Sequence, residues 1–322
     1  MGQRANYIVL DKNKITIHYN HWRANCIAKD LYLGEKIFLD FVNNCTIVDE
    51  IMENNWIEGC VIIDKDNKEL SFWTLEYSRE YSVIDYYLKQ LVLKWKGWNI
   101  NILKNRMYDV EKILDIDYMS KQKIYPINIP STEQIISDHV NEWISTTIII
   151  KENASLFVTR TGSIPYESIL SYGQKVITLI QNKKSYELLK EGEDGTYESV
   201  LIDIDHKKVF INENNSDVLK SCKELWSDYE IVSSDFGYIE ILRIAGLDTA
   251  NLELSVHDVK TQFEEMVRQN NDFNPYEMAD KIEQEYGNVQ FSASFSDSAK
   301  PKTTALNKLI SSLKRFFGKK NQ

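Results

Sequence analysis

Two histidines and two arginines near the N-terminus are the residues best suited to chemistry. His18 and His21 stand three residues apart, Arg23 follows them, and Arg4 precedes them. An imidazole can act as a general base or bind a metal, and a guanidinium binds carboxylates or phosphates. On a strand, this spacing places the two imidazoles on opposite faces unless a turn intervenes at Asn20. A hydrolase or a nucleotide-processing enzyme would use these four residues, with an imidazole as base and an arginine as anion clamp.

No pattern in the chain completes such a site. Neither a carboxylate nor a cysteine follows the histidines at a recognisable interval, so the order of residues specifies no nucleophile. The four cysteines are widely spaced without a CxxC pair, which indicates reduced, mostly buried thiols rather than a zinc site or a disulfide framework. We therefore expect no metal and no cofactor, and a binding protein rather than an enzyme.

The elements that carry these residues belong to a sequence unit that occurs twice in the chain. VIIDKDNKELSF matches VLIDIDHKKVFI at an offset of 139 residues, and Gly34 matches Gly173 at the same offset. Farther along, Trp95 matches Trp226 at an offset of 131. The period is far longer than the roughly 20–50 residues of a solenoid repeat, so the matches predict a tandem duplication of a whole domain.

The residue patterns within each copy predict an α+β fold. Each copy has two pairs of β-branched runs around polar turns, which are typical of hairpins. Between the hairpins, apolar residues recur at helical spacing, and a second helix, a strand and a short helix follow. The unit is β-β-α-β-β-α-β-α, with mostly antiparallel strands and helices on one face. Two such units are expected to form a pseudo-dimer, followed by C-terminal helices.

The boundaries of this organisation follow from the repeats and from composition. We predict a first α+β repeat over residues 1–125, a helical linker over 126–145, a second repeat over 146–250, a helical extension over 251–290, and a flexible tether with a basic amphipathic helix over 291–322. The linker contains a capping-box pattern, Ser131-x-x-Gln134. Gly34 and Gly173 stand at equivalent places inside or at the start of the first helix of each copy, and a glycine in a helix interior costs roughly 1 kcal/mol relative to alanine. We attribute both glycines to close packing of that helix on the sheet.

The copies differ most after the first hairpin, where the first copy reads IHYNHWRANC and the second reads VTRTGSIPY. Packing that is common to both copies does not require the residues found only in the first. Arginine, tryptophan and asparagine are suited to recognition. We therefore predict a binding surface made of Arg4, Asn6, His21, Trp22, Arg23 and Asn25.

Paired aspartates recur in both copies, at Asp64 and Asp66 and at Asp203 and Asp205. Carboxylates at this spacing can bind a divalent cation. They also lie where a hairpin must turn, and no glycine or later acid completes a calcium-loop pattern. We interpret them as turn residues.

The charge distribution indicates the class of partner. The net charge is −10, and the segment from Ala299 to Gln322 holds seven Lys or Arg and no acid, so removing those cations leaves −17 for the rest. An acidic body disfavours nucleic acid and suits a basic protein partner, as an immunity or antitoxin-like inhibitor or a subunit of a defence or regulatory complex would have. Without a signal-peptide pattern or a long apolar run we expect a cytoplasmic protein. The basic C-terminal helix is expected to dock on protein rather than on a membrane.

Overall fold

The structure is a computed structural model that describes residues 3–75, 81–123, 131–137, 146–162, 164–183, 198–211, 222–233 and 238–268. The described residues group into two compact units. The first comprises the described parts of Met1–Tyr77, Tyr87–Leu103 and Phe263–Gln322, and the second those of Ser78–Tyr86 and Lys104–Gln262. The domain boundaries drawn from the sequence stay a prediction.

Each unit contains one mixed β-sheet. The first sheet holds β1 (Ala5–Asp11), β2 (Lys14–Asn20), β3 (Thr46–Val48), β4 (Gly59–Asp64), β5 (Glu69–Thr74) and β6 (Asn99–Ile102). The second holds β7 (Thr146–Glu152), β8 (Ser155–Thr161), β9 (Glu198–Asp203), β10 (Lys208–Ile211) and β11 (Glu230–Ser233). The α-helices are α1 (Ile27–Tyr32), α2 (Glu35–Val42), α3 (Tyr81–Lys94), α4 (Met107–Leu114), α5 (Thr132–Ser137), α6 (Tyr166–Leu170), α7 (Lys175–Gln181), α8 (Tyr238–Ala245) and α9 (Val256–Arg268). The prediction of an α+β protein is confirmed.

The two sheets have the same topology. The strand order is β3-β2-β1-β4-β5-β6 in the first and β8-β7-β9-β10-β11, read from the corresponding edge, in the second. In both, the hairpin strands pair antiparallel, whereas β1 with β4, β5 with β6, β7 with β9 and β10 with β11 pair parallel. Among the described strands, five of the nine pairs are antiparallel, as expected, and the four parallel pairs that join the hairpins and the last strand make both sheets mixed. Only β3, an edge strand on β2, has no counterpart among the described strands of the second sheet.

The interior of each unit repeats the same contacts. The indole Nε1 of Trp95 donates to the carbonyl oxygen of Leu31 at 2.8 Å, and that of Trp226 donates to Leu170 at 2.9 Å. Each tryptophan also meets an aromatic ring three residues later at a centroid distance of 5.2 Å. The structural equivalence thus matches the repeat seen in the sequence, and the duplication that explains it stays a prediction.

The second sheet is covered on both faces. Ile148, Ile150, Val200 and Ile202 pack with residues of α5, α6 and α7 on one face. Ile149 and Leu201 pack with α8 on the other. The predicted single helical face was wrong for this unit, because the consecutive apolar residues of β7 and β9 point alternately to the two faces and both must be buried.

Glycines interrupt the first helical segment in both units. Gly34 has φ +91° and separates α1 from α2, and Gly173 has φ +60° before α7. A Cβ at Gly34 would lie 3.4 Å from the Lys94 carbonyl oxygen, and one at Gly173 would lie 3.0 Å from that of Leu225. The glycines stand at the start of a helix, one of the two predicted places, but the predicted packing partner was wrong. They approach the backbone of Lys94, at the end of α3, and of Leu225, rather than the sheet.

The linker and the extension contain the helices expected of them. The predicted capping box is confirmed, because Gln134 Oε1 accepts from the Ser131 backbone N–H at 2.6 Å and Ser131 Oγ accepts from that of Gln134 at 3.2 Å. In α9, Phe263 is buried and meets the rings of Tyr32 and Tyr87. The predicted tether, the basic C-terminal helix and the part of the predicted helical extension beyond residue 268 lie outside the described residues. No helix in the described ranges is long and apolar enough to cross a bilayer.

Candidate functional site

The residues singled out in the first hairpin divide between the two faces of the first sheet. Directly paired residues of antiparallel strands share a face, and alternate residues point to opposite faces. Tyr7 pairs with His18, whereas Asn6 pairs with Tyr19. Arg4 alternates with Ala5 and contacts Tyr19, which places it with Asn6. His18 lies on the face of Tyr7, and His21 follows a turn at Asn20 and contacts Tyr19, so the two imidazoles do not converge.

The guanidinium of Arg23 is engaged inside the core. Its Nε donates to Asp30 Oδ2 at 2.8 Å, and its Nη2 donates to Oδ1 at 2.7 Å. Both side chains are buried, with relative exposures of 6% and 1%, and the guanidinium lies 5.5 Å from the centre of the Phe41 ring. This two-pronged pair satisfies a charge that would otherwise be costly to bury. Arg23 thus holds α1 to the chain that follows β2.

His18 is also buried, with 4% of its surface exposed, and its Nδ1 has no hydrogen-bond partner. Burial lowers the pKa of His18, and the charge of Lys65 lowers it further, whereas an interaction of the imidazole with the backbone of Cys45 acts in the opposite direction. Burial raises the pKa of the Cys45 thiol to about 12. A thiol with such a pKa supplies almost no thiolate near neutral pH, so this pair does not form an activated nucleophile.

Asn6 has a structural task. It is fully buried, its Nδ2 donates to the His18 carbonyl oxygen at 3.2 Å, and its Oδ1 accepts from the backbone N–H of Met52 at 2.8 Å. The latter bond ties the centre of the sheet to the chain before β4.

Arg4, Tyr19, His21 and Trp22 converge on the other side. The Tyr19 hydroxyl and His21 Nδ1 are 2.8 Å apart, and the ring of His21 lies 4.4 Å from that of Trp22. The Arg4 guanidinium lies close enough to Tyr19 to oppose the rise in the pKa of Tyr19 that burial causes. Burial and the charge of Arg4 lower the pKa of His21. The imidazole is therefore neutral near pH 7 and acts as a packing and hydrogen-bonding group.

The remaining two residues of the predicted surface make local contacts. The backbone N–H of Trp22 donates to Asn20 Oδ1 at 3.0 Å, which forms the turn after β2. Asn25 is half-buried, and its Oδ1 accepts from the thiol of Cys26 at 3.3 Å.

A tryptophan outside the predicted set completes this surface. Trp56 is 54% exposed, and the guanidinium carbon of Arg4 lies 5.2 Å from the centre of its ring. The backbone N–H of Arg4 donates to Glu58 Oε2 at 2.8 Å, and the backbone N–H of Glu58 donates to the Arg4 carbonyl oxygen at 2.9 Å. Trp56 is thus an exposed aromatic side chain on a fixed base.

Residues 49–58, which we call the acidic loop, present Trp56. Asp49, Glu50 and Glu53 are exposed, and Ile57 is buried beneath them. The Glu53 carbonyl oxygen accepts from the backbone N–H groups of Trp56 and Ile57 at 2.9 and 3.1 Å. With the bonds from Asn6 to Met52 and between Arg4 and Glu58, these contacts hold residues 52–58 of the loop.

The paired aspartates are turn residues, as predicted. Asp64 accepts from the backbone N–H groups of Asp66 and Asn67, and Asp203 accepts from that of His206. Burial alone would raise the pKa of Asp203, but hydrogen bonds from the backbone and ring of His206 outweigh it and lower the pKa below its usual range. Within the described ranges no three potential ligands cluster as a metal site would require.

The sequence missed Trp56 and Glu58 because they join the site through parallel pairing. Ala5 on β1 lies beside Gly59 on β4, which brings the residues preceding each strand together. The sequence patterns predict the strands but not this register.

The fold belongs to the α+β class and contains two similar sheets, and comparison with known proteins adds nothing to this description. No family model matches the chain, and comparison with curated proteins and with solved structures found no significant similarity. The arrangement can therefore be judged only on its own chemistry: an exposed aromatic side chain, a cation against its ring and exposed carboxylates in the same loop.

Proposed function

We propose that the protein is a non-enzymatic, cytoplasmic binding protein that holds a basic protein partner on the acidic loop. An immunity or antitoxin-like inhibitor, or a subunit of a bacterial defence or regulatory complex, has this character. The observation that carries the proposal is the exposed ring of Trp56, which lies against Arg4 in a loop that also exposes three acidic residues.

The tryptophan supports the proposal through its energetics. Tryptophan is enriched among the few interface residues that contribute most of a binding free energy. An anchor that is already fixed loses little conformational entropy on binding. The contact with Arg4 and the hydrogen bonds around Glu58 provide that fixation.

The charge of the loop supports the choice of partner. Asp49, Glu50 and Glu53 are exposed, and the net charge of the chain is −10. Such a surface attracts a basic patch, raises the association rate and repels acidic competitors.

The hydrolase alternative receives less support from the geometry. Of its four proposed groups, His18 and Arg23 are buried on one face of the sheet, whereas Arg4 and His21 lie on the other side. General acid–base catalysis requires its groups within hydrogen-bond reach of one substrate.

Purification of the tagged full-length protein from its native cells tests the proposal. Proteins retained by the wild type are compared by quantitative mass spectrometry with those retained by an Asp49→Lys/Glu50→Lys/Glu53→Lys variant. The matched control, Glu224→Lys/Asp228→Lys/Glu265→Lys, changes the net charge equally at exposed sites elsewhere. We expect a basic protein to be lost from the loop variant and retained by the control.

The identified partner is then produced separately and its affinity is measured by calorimetry. We expect Trp56→Ala to weaken binding about 30-fold, which corresponds to about 2 kcal/mol for a central tryptophan. Tyr81→Ala removes another exposed aromatic ring, 60% exposed, and should leave the affinity within about twofold. Equal losses in both variants would refute the assignment of the loop.

A further inference from the structure

A row of polar side chains crosses the second sheet. Thr147 on β7 pairs with Arg160 on β8 and with Ser199 on β9. Paired residues share a face, so the three side chains are neighbours. Two residues farther along the same face, Ile149, Val158 and Leu201 form the apolar cluster beneath α8. The polar row therefore borders a dry core.

Two hydrogen-bonding groups in this row have no partner among the residues that the structure describes. Thr147 is fully buried and its Oγ1 is unpaired, and the Nε of Arg160 is buried and unpaired. A buried polar group without a partner costs about 1–3 kcal/mol. By contrast, Arg243 is paired with Glu240 and Glu253, and Arg268 with Glu264.

The nearest acid along the strands is directed elsewhere. Glu198 precedes Ser199 and so points to the opposite face of β9. Its Oε2 accepts from Thr146 Oγ1 and from the backbone N–H of Tyr166, each at 2.8 Å. It does not serve as the counter-ion of Arg160.

The equivalent row of the first sheet is satisfied within the chain. Asn6 pairs there with Tyr19 and Cys60. The side-chain amide of Asn6 forms hydrogen bonds with the backbone of His18 and Met52, and the Tyr19 hydroxyl forms one with His21. The same position of the same topology thus carries internal hydrogen bonds in one unit and unpaired groups in the other.

We propose that Thr147 and Arg160 bind an oxyanion, the phosphate or carboxylate group of a ligand. A guanidinium can present its Nε–H and a terminal N–H to two oxygens of such a group, and the threonine hydroxyl can donate to one of them. This site lies in the second unit and is independent of the acidic loop. The proposed function uses only the first unit, and this site gives the second unit a ligand of its own.

Nuclear magnetic resonance of the full-length protein, with labelled arginine side chains, tests the site. Inorganic phosphate and acetate are titrated separately at constant ionic strength, and the Nε–H signal of Arg160 is assigned by its loss in Arg160→Lys. We expect a saturable shift of that signal with one of the anions, and the anion that binds more tightly identifies the group. The Arg243 signal is the internal control and should show no saturation.

Thr147→Val separates binding from folding. Because the hydroxyl has no protein partner, valine of similar shape should leave the stability without anion unchanged or raise it. The same variant should weaken anion binding at least tenfold. The proposal is overturned if neither anion gives a saturable shift, or if Thr147→Val binds the anion as the wild type does.

Discussion

The face of the first sheet that carries Tyr7 and the face of the second that carries Ile148 are equivalent, but they are packed with different side chains. Leu31 and Leu170 accept equivalent tryptophan hydrogen bonds, so the preceding residues, Asp30 and Ile169, occupy the same place. In the first unit that place holds a carboxylate paired with Arg23, and in the second it holds part of an aliphatic core. The hairpins, the glycines and the tryptophans are common to both units, so we attribute the shared fold to them. The buried polar pair is found only in the first unit.

The largest expected effect comes from breaking the pair that distinguishes the units. Asp30→Ala leaves the Arg23 guanidinium buried without its counter-ion, and we expect a loss of about 3–5 kcal/mol in unfolding free energy, measured in urea. Arg23→Met/Asp30→Leu makes the site apolar, like that of the second unit, and should retain most of the stability. A double variant as unstable as Asp30→Ala would show that the two sites are not interchangeable.

The shared glycines provide the next test. Gly173→Ala should cost about 1–3 kcal/mol, since its positive φ strains an L-residue and its Cβ would lie 3.0 Å from the Leu225 carbonyl oxygen. Gly97 has φ +80° with nothing within 4 Å of an added Cβ, so Gly97→Ala isolates the backbone strain. We expect the smaller loss at Gly97, and the reverse order in thermal or chemical unfolding would contradict the close approach.

The aspartate turns should contribute equally in both units. Asp64→Ala and Asp203→Ala should each cost about 1 kcal/mol at neutral pH, because each removes hydrogen bonds to the turn backbone. The pKa of Asp203 is lowered in the folded state, so its contribution is present above the ordinary carboxyl pKa and is lost as the pH falls through the lowered value. The deficit of Asp203→Ala, followed by denaturation at several pH values, should therefore shrink in acid. A deficit that does not depend on pH would exclude the ionised carboxylate as its source.

The smallest effect concerns His18, where the second unit has Thr159 at the equivalent position of β8. Because the pKa of His18 is lowered, protonation below its ordinary value favours the unfolded chain, and stability should fall as the pH drops from about 7 to about 5. His18→Thr should make this dependence shallower, with His21 supplying part of what remains. Identical slopes for wild type and variant would contradict a buried, neutral imidazole.

The sequence predicted local elements well and long-range arrangement poorly. Alternating residues predicted the hairpins, because that signal depends only on neighbouring residues. The repeat predicted two like units, because matched segments form matched elements. The short edge strand Thr46–Val48 and the cover on both faces of the second sheet were missed, since each depends on which strands pair and in which direction.

The candidate site was predicted only in part for the same reason. Arg4, His21 and Trp22 do converge, but Arg23 and Asn6 serve internal hydrogen bonds whose partners, Asp30 and Met52, lie on other elements. Trp56 gave no signal of its own, because a single tryptophan in a polar loop does not reveal that a parallel strand pair holds it beside Arg4.

Hydrogen–deuterium exchange of the full-length protein, alone and bound to the partner identified by purification, tests the central claim most directly. If the acidic loop is the binding surface, backbone exchange over residues 49–58 slows in the complex, and that of the hairpin Asn153–Ala154 at the far end of β7 and β8 is unchanged. Slower exchange elsewhere, with residues 49–58 unaffected, would contradict the account.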